Sequence, residues 1–181
     1  MRLAISGPQN TGKTTFIQDF LLHFPNYFSP KKTYRDIIIK NNLITGQAQP
    51  EESQKRIRDF QYKQILKNKK ENIIFDRCII DNLVYSLCQY ELGNFSHSFV
   101  EETKKMMIDS LEYLDTLVFI PTALSVKIIN DNLRDTNRKS IDNVNRLFIS
   151  TILEIARENK IKIFTITGDR NTRIEQIRKI I

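Results

Sequence analysis

Two of the five glycines in this 181-residue chain, Gly7 and Gly12, run directly into Lys13 and Thr14, and no other feature constrains the fold as tightly. The stretch satisfies G-x-x-x-x-G-K-[ST], a loop whose backbone N–H groups turn inward around an anion. Residues free of Cβ crowding are needed where such a loop bends most sharply. The flanks supply the rest. "RLAIS" (2–6) is a short apolar run suited to a buried parallel strand, and "KTTFIQDFLLHF" (13–24) sets Phe16, Ile17, Phe20, Leu21 and Phe24 at helical spacing. Strand, loop and helix in that order direct anions to a helix N-terminus. The expected phosphate contacts are Gly7, Asn10, Thr11, Gly12, Lys13, Thr14 and Thr15. Lys13 serves as a mobile point charge, and the Thr14 hydroxyl suits Mg²⁺, which takes few protein oxygens.

Further apolar runs at "NIIF" (72–75), "DTLVFI" (115–120) and "IKIFTIT" (161–167) read as buried strands, with a weaker extended segment near Tyr27 and Phe28. Helical periodicity covers roughly 50–68, 81–92, 97–112, 139–159 and 170–180. The alternation predicts one α/β domain over residues 1–181, a doubly wound, mainly parallel five-stranded sheet with helices on both faces. Ligands of such sheets bind at the carboxyl ends of the strands. No apolar run approaches a membrane span and strand residues follow Met1 at once, so a cytoplasmic protein without signal peptide or membrane contact is expected. Cys78 and Cys88 are too few for a disulfide framework, and His23 and His97 lack neighbours with metal-ligand spacing. The charge balance, 28 − 21 = +7, suits polyanions, nucleic acid among them.

Asp76 and Arg77 arrive where the second apolar run ends. A strand-end carboxylate beside a phosphate loop can hold Mg²⁺ through water or accept a proton from an attacking hydroxyl, and the arginine can fork onto a phosphate. The bland alternative is a charged cap tied to a neighbouring loop. In "NDNLRDTNRKSID" (130–142), Arg134 and Arg138 are four apart and share a face if the segment is helical. They read either as an exposed helix laced with ion pairs worth about 0.3–0.5 kcal/mol each, or as the arginines of a closing lid over about 127–142.

"GPQNTGKTT" (7–15), "IIFDRCIIDNLVYS" (73–86) and "DNLRDTNRKSID" (131–142) together resemble the small P-loop kinases of nucleosides and nucleotides. The similarity points to the ribosylnicotinamide-kinase-like group with its phage and bacterial deoxynucleoside and nucleotide kinases. A fourth stretch, "TYRDIIIKN" (33–41), is similar to a segment in which that group often carries a glutamate followed by an arginine; here Thr33 and Tyr34 precede Arg35. The resemblance implies a three-layer P-loop kinase fold with a helical lid, using ATP and Mg²⁺. It assigns catalysis to Lys13, Asp76, Arg77, Arg134 and Arg138, metal binding to Thr14 and Asp76, and the acceptor to Tyr34, Arg35, Gln61, Tyr62 and Asp76. An aromatic ring there can stack on a base while an arginine holds a phosphate.

A GTPase would need an N-K-x-D base-reading element, which the chain lacks, and a mechanochemical ATPase usually carries an acid where Arg77 stands. Transfer to an organic acceptor is therefore expected over hydrolysis. The acceptor is a free nucleoside or nucleotide, or alternatively a hydroxymethylated base or an end within DNA or RNA. A P-loop NTPase or nucleotide-sensing module is the reading of another class. Monomer and homodimer are both compatible with the sequence.

Overall fold

The computed structural model describes residues 1–46, 48–122, 138–158 and 160–181, with only the backbone of 138–140. Four strands, β1 (Arg2–Ser6), β2 (Ile73–Asp76), β3 (Thr116–Phe119) and β4 (Lys162–Thr165), form one sheet in the order β2-β1-β3-β4. Every pairing is parallel. From β1 the chain crosses outward to β2 and later returns past β1 to β3, which makes the end of β1 the point where the winding reverses. A crevice opens at such a point, and the glycine-rich loop follows β1 directly into it.

Strands β1, β2 and β3 are largely apolar because both faces are covered, whereas β4 at the sheet edge is half-buried to exposed. Leu3, Ile5, Ile74, Val118 and Ile120 point into one core, shared with Phe16, Ile17 and Phe20 of α1 (Lys13–His23) and Ile174 and Ile177 of α7 (Arg170–Arg178). Ala4, Ile73, Phe75, Leu117 and Phe119 point into the other. That second core is roofed by α3 (Glu51–Lys67), α4 (Ile79–Glu91), α5 (His97–Leu111) and α6 (Arg138–Arg157). Strand alternation therefore divides each run between two cores, which is what a three-layer α/β structure requires.

The expected fifth strand near Tyr27 and Phe28 is reduced to a single bridge. Phe28 N–H donates to Asn72 O at 3.0 Å and its carbonyl accepts from Ile74 N–H at 2.9 Å, and the pairing ends there. Pro30 follows two residues on, without an N–H to continue the ladder and with its predecessor held extended. An unexpected helix comes next. In α2 (Tyr34–Lys40) the Thr33 N–H and hydroxyl both donate to Asp36 Oδ2, at 2.7 and 3.0 Å, closing the first turn. Among the described residues no helix is long and apolar enough to cross a membrane.

Arg58 is the largest fully buried side chain. Its guanidinium joins α3 to α5 by paired contacts to Glu102 at 3.2 Å each, one to Thr103 Oγ1 at 3.0 Å, and a cation–π contact 4.8 Å above Phe99. Glu102 is half-exposed and can be resolvated, so what a substitution loses is mainly packing. Arg58→Ala is expected to lower the unfolding free energy by about 3 kcal/mol, and Arg58→Met, which refills the space, by less than half as much. Urea titration of both variants checks this.

Candidate active site

Between Ser6 and Lys13 the backbone takes left-handed turns at Gly7 (φ 143°), Asn10 (φ 62°) and Gly12 (φ 80°). Helix α1 starts at Lys13, and the first N–H with an intrahelical partner is that of Phe16, donating to Gly12 O at 2.9 Å. The unsatisfied donors of the first turn thus face the loop mouth. Lys13 folds across that mouth, donating from Nζ to Gly7 O at 2.8 Å, to Thr11 Oγ1 at 3.2 Å and to Pro8 O. A Cβ at position 7 would stand 2.2 Å from the carbonyl oxygen of Ile120, whose own N–H is fixed by Ser6 O at 2.9 Å. Backbone against backbone leaves no easy relief. Gly7→Ala is accordingly expected to cost about 2–3 kcal/mol, read as a lowered melting temperature.

Pairing of Ile5 with Asp76 carries the carboxylate to the same end of the sheet. Asp76 Oδ2 lies 3.4 Å from Thr14 Oγ1, so the two residues expected to bind metal meet across the strand ends. Both offer hard oxygen donors beside the phosphate loop, a set that fits Mg²⁺ retaining most of its waters.

Arg77 has a left-handed backbone (φ 74°), an unfavourable conformation for a side chain of this size. Its N–H is satisfied by Ile5 O at 3.0 Å. The guanidinium turns onto Asp81 Oδ1 at 2.6 Å and lies 5.0 Å from the Tyr34 ring and 5.6 Å from the Tyr85 ring. Burial alone lowers its proton affinity, but Tyr34, Tyr85, Asp81 and Asp76 outweigh that and hold it charged. Asp81, absent from the sequence reading, is the anchor. It is 2% exposed and also accepts from Ser6 Oγ at 2.8 Å and Cys78 N–H at 3.3 Å. Its only signal in the sequence is its place at the third position of α4, where an acid caps the helix start. Arg77 is thereby fixed in a cavity wall by an ion pair, whereas the sequence suggested an arginine that forks onto a phosphate.

That cavity, of about 140 Å³, collects Tyr34, Arg35, Gln61 and Arg77 together with Gln9 of the phosphate loop. Burial alone would push the Tyr34 hydroxyl up, but Arg77 and Arg35 draw it below its ordinary value, so the wall favours negative charge. Tyr62 is not brought to this cavity. Its hydroxyl donates to Asp109 Oδ2 on α5, a contact that raises it to about 12. Arg134 lies outside the described residues, as does the side chain of Arg138, which opens α6.

A second cavity, of about 300 Å³, runs from Asn10, Gly12 and Thr15 to Gly168, Asp169 and Arg173. Arg173 was not visible as a site residue in the sequence. It bridges Gly168 O at 3.0 Å and Thr11 O at 2.7 Å, while Arg170 grips Asp19 of α1 at 2.9 and 2.5 Å. A peptide unit points its C=O and N–H in opposite directions, so holding the Thr11 carbonyl outward turns the Gly12 N–H inward.

The AAA-domain family model matches residues 2–173 of the chain. No curated protein matches. Among solved structures, the chain is similar to deoxyadenosine kinase from M. mycoides with bound dATP, at 17% identity and TM-score 0.75, covering 99% of this chain and 98% of that one. It is also similar to thymidylate kinase from Candida albicans, at 17% identity and TM-score 0.66, covering 98% and 89%. The NadR protein in complex with NR matches at 18% identity and TM-score 0.65, covering 92% of this chain and 46% of that one. At these identities the likeness is one of fold.

Proposed function

The chain belongs to the AAA-domain family, and we propose on that footing that it transfers a phosphoryl group from ATP to a nucleoside or nucleotide. The observation that carries this reading is that the phosphate loop stands between two cavities. Gln9 lines one, while Asn10, Gly12 and Thr15 line the other. A transferase needs a donor and an acceptor on either side of a shared phosphate site, whereas a hydrolase needs a donor and water. Solved kinases of similar fold with dATP, dCTP or dCMP bound agree with it.

In this reading ATP lies along the cavity bounded by Asp169 and Arg173, with its phosphates in the loop. The first-turn N–H groups and Lys13 hold those phosphates and stabilise charge as it develops. Thr14 and Asp76 would hold Mg²⁺, which when bound would neutralise charge on the transferring group. The acceptor enters between Tyr34, Arg35 and Gln61, where Arg77 forms a rigid cationic wall. Transfer from γ-labelled ATP to a panel of nucleosides, nucleoside monophosphates, nicotinamide riboside and hydroxymethylated DNA tests the assignment. Labelled product from a small acceptor supports it; ATP hydrolysis with no labelled acceptor refutes it.

A further inference from the structure

The acceptor cavity contains a row of side-chain amides whose orientation is set by one unambiguous contact. Gln54 approaches the backbone carbonyl of Asn82 at 3.2 Å, and a carbonyl can only accept, so Gln54 presents its nitrogen there. The same nitrogen reaches Asn82 Oδ1 at 3.1 Å, and Gln54 Oε1 accepts from Gln49 Nε2 at 2.7 Å. Asn82 then has only its Nδ2 left to give, and it donates to Gln61 Oε1. Hydrogen bonds thus run in one direction from Gln49 through Gln54 and Asn82 to Gln61.

The row ends on a donor. Gln61 is 3% exposed, lines the cavity, and its Nε2 has no hydrogen-bond partner among the described residues. Buried N–H groups are almost always paired in native proteins, so an orphan at a cavity wall points to a ligand atom that accepts. The amide oxygen on the same side chain is already engaged by Asn82. Two neighbouring polar groups are already committed. Gln89 uses both ends of its amide, on Gly46 O at 2.9 Å and from Asn94 Nδ2 at 2.7 Å, and Asp81 is committed to Arg77 and Ser6. Ile38, Ile57, Tyr85 and Val144 complete walls suited to a flat ring.

We propose that this cavity selects bases carrying a carbonyl at pyrimidine C4 or purine C6 opposite Gln61, namely uracil, thymine, hypoxanthine or guanine, over cytosine and adenine, which carry an amino group there. The inference rests on the acceptor assignment above and goes beyond it by naming the base class. A carbonyl satisfies Nε2; an exocyclic amino group meets it donor to donor and leaves both unpaired.

Equilibrium binding to the full chain tests this without requiring turnover. Uridine against cytidine and inosine against adenosine, each as nucleoside and as monophosphate, are matched pairs exchanging carbonyl for amino. Carbonyl members are expected to bind about 10- to 100-fold more tightly. Gln61→Glu keeps the shape and one oxygen for Asn82 but offers the cavity an acceptor, so the preference should shrink and turn toward cytosine and adenine. Equal or tighter binding of the amino members by the unaltered protein overturns the inference, as does failure of every nucleoside and monophosphate to bind. Carbonyl-selective binding with no phosphoryl transfer would sink the kinase reading and leave the selectivity standing.

Discussion

Lys13→Ala is expected to lower phosphoryl transfer by about 10³ or more while the protein stays folded. In the structure the residue is 6% exposed and its ammonium is drawn against the carbonyls of Gly7 and Pro8. A fixed charge in a water-poor setting acts on developing charge far more strongly than it would in bulk solvent, and a neutral side chain supplies nothing in its place. Lys13→Met retains most of the stem and should lose a similar amount of activity, which separates the charge from the packing. Steady-state rates for both variants, beside their melting curves, provide the check. Turnover within tenfold of the unaltered protein would remove the loop from the mechanism.

Asp76→Asn carries the second large effect. The amide matches the carboxylate in shape but not in charge, and the geometry sets Asp76 Oδ2 at 3.4 Å from the Thr14 hydroxyl. Turnover is expected to fall by roughly 10²–10⁴. On the proposed role of Asp76 as a magnesium ligand, the Mg²⁺ concentration giving half-maximal rate should rise by about 10- to 100-fold. A carboxylate acting solely as proton acceptor for the incoming hydroxyl would lower the rate and leave that midpoint unmoved. An unchanged rate would exclude both roles.

The features legible in the sequence are those encoded locally. The phosphate loop is a matter of spacing between Gly7 and Thr14, and the four strands are short apolar runs, β1, β2 and β3 largely buried. Where legibility failed, distant partners or local competition had the last word. The extended segment at Phe28 has strand-like residues, but Pro30 ends its pairing after one bridge. "YRDIIIK" is not among the expected helices and holds three successive β-branched residues, yet the Thr33–Asp36 cap and packing on α3 make it a helix. Tyr62 and Gln61 are adjacent in α3, so successive residues diverge, and only Gln61 reaches the cavity. Arg58, Arg170 and Arg173 owe their roles to partners on other elements, which no local pattern reveals.

The contact between Arg173 and the Thr11 carbonyl joins residues 162 positions apart. During synthesis from the amino end, the glycine-rich loop therefore leaves the ribosome well before the arginine that fixes it. Until α7 has been translated and has docked, the Thr11–Gly12 peptide lacks this restraint. The loop acquires its mature geometry late, after all four strands have been laid down.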